Sequence, residues 1–163
     1  VNEGNVTAIF TDSGGRVPAR VNCALEYFNQ DSHHSTDIAH QLITVKARKR
    51  INFWGHFLKK SGYQSYLLIS NVLPNQNNED CELEIQKFAD NLSIIGMKKF
   101  NIKAGTSLCI DLNKECKFLF EEQNEDKFEF ISWRGKVKVG QIQDIYQVSL
   151  NDESGNILGD HSF

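Results

Sequence analysis

From Leu42 to Trp54 the side chains alternate. Ile43, Val45, Ala47, Ile51 and Phe53 share one side, and Thr44, Lys46, Arg48, Arg50 and Asn52 the other. A period of two is the mark of a strand with one buried and one wet face, and such strands belong to antiparallel sheets. Just before it, Val17, Val21, Ala24, Leu25 and Phe28 recur at helical spacing. Pro18 suits the first turn of a helix, where its missing N–H is no loss. The order predicts a helix over Pro18 to Gln30 cradled by a curled antiparallel sheet, an α+β fold. Its stripe packs on Ile43, Val45 and Leu67 or Leu68.

The rest of the chain reads mostly as strands. Gly55 and Ser61-Gly62 interrupt the first run, and Tyr63 to Val72 forms the next. Cys81, Leu83 and Ile85 alternate with Glu82, Glu84 and Gln86. Phe100 to Ala104, Leu108 to Leu112 and Lys117 to Glu121 are short strand candidates. Phe128 to Ser132 and Lys136 to Val139 flank Trp133-Arg134-Gly135, which reads as a hairpin turn. Ile145 to Leu150 is a last strand, followed by a turn at Asn151 to Gly155. Residues 1–16, with Gly4, Gly14 and Gly15 among polar spacers, form an N-terminal arm. Residues 17–163 form a single domain, with an inserted or extended β region at about 75–117.

A net charge of −3 over 163 residues gives no electrostatic case for nucleic acid or an anionic membrane. No apolar run is long enough to span a bilayer. The chain begins at Val1 and its one methionine is Met97, which fits a removed leader or a trimmed chain. The sequons at Asn5 and Asn91 and the four cysteines, an even number, point the same way, to a secreted or extracellular glycoprotein.

Residue patterns that would carry chemistry are sparse. His33-His34 beside Asp31 and Asp37 lacks metal-ligand spacing and reads as loop histidines, so no metal or other cofactor is expected. Gly14-Gly15 is too short to cradle a phosphate. Glu121, Glu122, Glu125 and Asp126 form a solvated run. Cys23 on the helix is the one candidate nucleophile, and a disulfide or a covered thiol accounts for it better. The chain is read as a binding protein and not an enzyme. An enzyme or small-ligand carrier with an enclosed pocket is the contrasting reading. Asp111 to Lys114 can turn between two strands, which predicts a Cys109–Cys116 disulfide. At helical spacing Cys23 lies opposite the stripe, flanked by Ala19 and Tyr27. Three explanations stand, a bridge to Cys81, cover by another segment such as residues 75–117, or contact with a second chain or partner, and the bland alternative is an exposed thiol.

The run Pro18-Ala-Arg-Val-Asn-Cys-Ala-Leu-Glu-Tyr-Phe-Asn29, followed by Ile43-Thr-Val-Lys-Ala-Arg-Lys-Arg-Ile51, resembles the helix and first strand of the cystatin superfamily, latexin included. Phe128-Glu-Phe-Ile-Ser-Trp-Arg-Gly135 leading to Lys136-Val-Lys-Val139 is similar to its late hairpin. The resemblance implies a wedge that plugs a protease cleft. Its three pieces are Gly14-Gly15 in the arm, a first hairpin tip at Ile51, Asn52, Phe53, Trp54 and Gly55, and a second at Trp133, Arg134 and Gly135. Phe53, Trp54 and Trp133 become the aromatic anchors. The first tip lacks the Gln-x-Val-x-Gly pattern of inhibitory cystatins. The alternative function is a non-inhibitory member that binds an extracellular, host-defence or assembly partner.

Overall fold

The computed structural model describes residues 22–28, 35–41, 52–71, 79–120, 129–139, 142 and 144–161. Within them run ten strands: β1 (Asn22–Phe28), β2 (Ser35–Gln41), β3 (Asn52–Lys59), β4 (Tyr63–Ser70), β5 (Cys81–Phe88), β6 (Ile94–Ile102), β7 (Ser107–Asp111), β8 (Glu129–Val139), β9 (Asp144–Asn151) and β10 (Ile157–His161). One short helix, α1 (Leu112–Glu115), and a 3-10 turn at Lys117–Leu119 separate β7 from β8. The strands form an antiparallel β1–β2 pair and two antiparallel four-stranded sheets, ordered β10-β9-β4-β7 and β3-β8-β5-β6.

This overturns the α+β, cystatin-like expectation. Asn22–Phe28, the middle of the expected helix, is a strand paired with Ser35–Gln41, Leu25 opposite Ile38. Ala, Leu and Glu favour a helix only weakly, and long-range pairing overrides such preferences. The helical geometry that set Cys23 and Tyr27 opposite an apolar stripe does not apply in β1. Residues 42–51, with the Lys46/Arg48/Arg50 face, lie outside the described residues.

The two large sheets pack face to face. Leu67, Ile69, Ile110 and Ile145 come from one and Phe53, Phe57, Leu83, Ile85, Ile131, Trp133 and Val137 from the other, joined in one buried cluster. α1 and the 3-10 turn close it with Leu112, Cys116 and Leu119. Strands with one apolar face each must bury it against another element, and here each large sheet buries its face against the other. The buried polar groups are paired. The Asn71 side chain donates to the carbonyls of Glu79, Ile102 and Lys103 at 2.9, 3.2 and 3.2 Å, and Ser65 and Ser149, paired on the adjacent strands β4 and β9, share a 2.9 Å hydrogen bond.

Several turns fall where the residues asked for them. Tyr63 N donates to Lys60 O at 3.1 Å across Ser61-Gly62, with Gly62 at φ 80. Asn151 Oδ1 accepts from the amides of Glu153 and Ser154 at 3.1 and 2.7 Å, and Gly155 closes that turn at φ 69. Others do not. Trp133-Arg134-Gly135 is the interior of β8, and Asn52 to Gly55 belong to β3, so these residues are strand and not turn. Asp111 caps α1 through Lys114 N rather than opening a β-turn, and Lys117–Leu119 is 3-10, not strand.

Candidate functional site

The parity of β3 and β8 sorts the expected contact residues into two groups. Phe53, Gly55, Trp133 and Gly135 face the core; Asn52, Trp54, His56, Ser132 and Arg134 face out. Phe53 and Trp133 are buried, at 0% and 2% exposure, so two of the three proposed anchors are core residues. Trp133 stacks on Phe57 with ring centres 5.4 Å apart and donates from Nε1 to Gln147 Oε1 at 3.0 Å, across to the other sheet. The glycines serve that indole. A Cβ on Gly55 would stand 2.5 Å from Gln147 Oε1 and 2.9 Å from Trp133 Nε1, and one on Gly135 would stand 2.9 Å from Trp133 Cζ3. They are small so that a large ring can lie across the strands, not because the chain turns there.

The outward group forms ordered rows across the β3-β8-β5-β6 sheet. One runs Asn52, Lys136, Glu84, Lys99 and the next Trp54, Arg134, Gln86, Met97, strand by strand. Arg134 Nη2 donates to Asn52 Oδ1 at 2.7 Å, and its guanidinium lies 5.8 Å from the Phe88 ring centre. His56 Nδ1 and Ser132 Oγ are 3.0 Å apart, and the Trp54 and His56 rings meet edge to face at 6.3 Å. Trp54 is 52% exposed, and Phe130 on the same side is exposed too.

Beside this lies a compact ionic group. Glu84 belongs to the outward rows yet is only 4% exposed, because neighbouring side chains cover it. Lys99 and Lys138 both approach its carboxylate at 3.4 Å, and Gln86 Nε2 donates to it at 3.0 Å. A register shift between Glu82 and Leu83 leaves Lys138 without a direct partner on β5, as a bulge does. Burial pushes the Glu84 carboxyl up, but the hydrogen bond from Lys99 and the charge of Lys138 outweigh it, and it lies below its ordinary value. Lys99 is held above its own ordinary value, first by the 2.9 Å hydrogen bond to Glu82 and then by Glu84.

The outward side of the other sheet differs. Tyr146 and Val148 are buried there, with Leu68 and Ile157 against them. An open hollow of about 510 Å³ near Tyr63, Asp111 and Asp152 has polar groups that already satisfy one another: Gln64 donates to Asp152 at 3.1 Å, and Asp111 caps α1.

Cys81, Cys109 and Cys116 form no disulfide, so the expected Cys109–Cys116 bridge is not made. Burial pushes Cys81 up to about 11 and Cys116 up to about 12, which leaves both as protonated thiols at neutral pH. Asn91 sits in the β5–β6 turn, and its Oδ1 accepts from Ser93 N and Oγ at 3.0 and 2.7 Å. Asn5, Gly14, Gly15 and Ile51 lie outside the described residues.

Sequence reasoning singled out Asn52, Trp54 and Arg134 and missed Lys136, Lys138, Lys99, Glu84, Gln86, His56 and Ser132. Their alternation marked a wet face on each strand. Nothing local said that β8 would lie between β3 and β5 and join those faces into one.

No protein-family model matches this chain, and no curated protein matches it. A solved structure described as Thermotoga maritima 1070 is similar to 71% of this chain and 94% of its own, at 11% identity and a TM-score of 0.49. That likeness is too slight to assign a function.

Proposed function

We propose that this protein is an extracellular, non-catalytic binding module that holds its partner on the outward face of the β3-β8-β5-β6 sheet. The observation that carries the reading is Trp54 at 52% exposure beside Arg134, each in contact with a neighbouring strand or ring. A half-exposed aromatic next to a fixed guanidinium is the pairing that contributes most at recognition surfaces. Side chains already held by their neighbours lose little entropy on docking. This keeps the binding half of the expectation drawn from the cystatin resemblance. The wedge reading is weakened, since Asn52 to Gly55 and Trp133 to Gly135 lie in strands.

Hydroxyl-radical footprinting with a panel of protein, glycan and nucleic-acid ligands tests the reading. A ligand that binds is expected to protect Trp54, His56 and Met97 together. Protection of Tyr63 beside the open hollow, with Trp54 unchanged, would overturn it.

A further inference from the structure

We infer that the ligand of this face is a polysaccharide carrying carboxylates, of the uronic-acid type; the inference rests on the outward face being the binding surface. Three features select that chemistry. The first is charge. Among the described residues, Lys99, Arg134, Lys136 and Lys138 stand with Glu82 and Glu84 on the face, in a chain whose net charge is −3. The two carboxylates lie against Lys99 and Lys138, so Arg134 and Lys136 are the cations left to meet an anion. They stand in adjacent rows beside Trp54. A phosphate backbone carries acceptors alone and gains nothing from the acceptors on the face, whereas a uronic-acid polymer adds hydroxyls to its charge.

The second feature is hydrogen-bonding capacity. Arg134 and Lys136 only donate, whereas Ser132 and His56 can donate or accept. Sugar hydroxyls also do both, and a polyhydroxylated ligand uses every one of these groups. The third is Trp54. The electron-rich face of an indole attracts the weakly positive C–H hydrogens on the flat side of a pyranose ring. The face is a sheet surface, not an enclosed pocket, which suits a chain lying across strands.

Affinity gel electrophoresis of the whole protein at about 0.15 M salt tests this, with polygalacturonate, neutral dextran and single-stranded DNA as the embedded ligands. Polygalacturonate is expected to retard the protein, dextran and DNA to have little effect. Trp54→Ala and Arg134→Gln should each weaken that retardation about tenfold while both variants stay folded, with melting temperatures within a few degrees of the parent. Lys114→Gln, which removes the same charge from α1, should change nothing. Equal retardation by dextran removes the anionic requirement and overturns the inference, as does stronger retardation by DNA. No retardation by polygalacturonate also overturns it, yet leaves the binding face standing if another ligand protects Trp54 in the footprint. Retardation by polygalacturonate that ignores both Trp54→Ala and Arg134→Gln overturns the ligand and the face together.

Discussion

The two tryptophans stand on neighbouring strands, one register step apart. Trp133 pairs with Gly55 and Trp54 with Arg134. Around Trp133 the structure is closed: Phe57 lies parallel at 5.4 Å, Gln147 accepts its N–H, and two glycines make room for the ring. Around Trp54 it is open, with His56 at its edge and Arg134 across the strand. The residue type is the same in both places. What differs is strand parity, which puts one indole among apolar side chains and the other beside cations and water. The first stabilises the sandwich. The second stays half exposed.

The contrast breaks most visibly at Trp133. Trp133→Ala should cost about 3–5 kcal/mol in a urea melt, because a large buried ring is lost and Gln147 loses its donor. Trp54→Ala should stay within about 1 kcal/mol of the parent. Equal losses at the two sites would mean that parity has been misassigned.

Gly55→Ala tests whether the glycine serves the indole. Its new Cβ collides with the Trp133–Gln147 hydrogen bond and should cost about 1–3 kcal/mol. A neutral or stabilising result would show that the ring has space to move.

A spectroscopic check carries no stability term. The chain has two tryptophans. Iodide should quench one fluorescence component and spare the other, and Trp54→Ala should remove the quenchable one. Quenching of both would place Trp133 in water.

The smallest effect lies in the ionic group. Glu84 titrates below its ordinary value when folded, so its carboxylate contributes stability above the ordinary value of 4.5, and that contribution is lost as pH falls through the lower folded value. Glu84→Gln should therefore be less stable than the parent at neutral pH, with the gap closing in acid. Asp80 and Glu115, lowered by Lys103 and Lys98, keep part of the acid sensitivity in the variant. A gap that does not change with pH would remove the electrostatic account of Glu84.

The strands that were legible are those whose alternation is uninterrupted and bounded by turn residues. Tyr63–Ser70, Cys81–Phe88 and Asp144–Asn151 match the expectation closely, as do the turns at Ser61-Gly62 and Asn151 to Gly155. The alternation of β8 was equally regular, Ile131, Trp133, Gly135 and Val137 against Ser132, Arg134, Lys136 and Lys138, but a glycine after a tryptophan looked like a turn. Gly135 has no side chain to report that it faces inward. The candidate site was legible only as scattered members, because its rows join residues such as Trp54, Arg134 and Gln86 that are far apart in the chain.

By itself, then, the sequence determined the local period: where side chains alternate, which side of each strand is apolar, and where Gly and Asn permit a reversal. Those properties depend on a few neighbouring residues and on backbone geometry. Tertiary structure decided the rest. It made Asn22–Phe28 a strand by pairing it with Ser35–Gln41, set Trp133 inside and Trp54 outside by fixing the β3–β8 register, and brought Glu84 under Lys99 and Lys138. Each of these depends on pairing or contact between separate segments, whose free energy outweighs the weak conformational preferences a short run of residues can express.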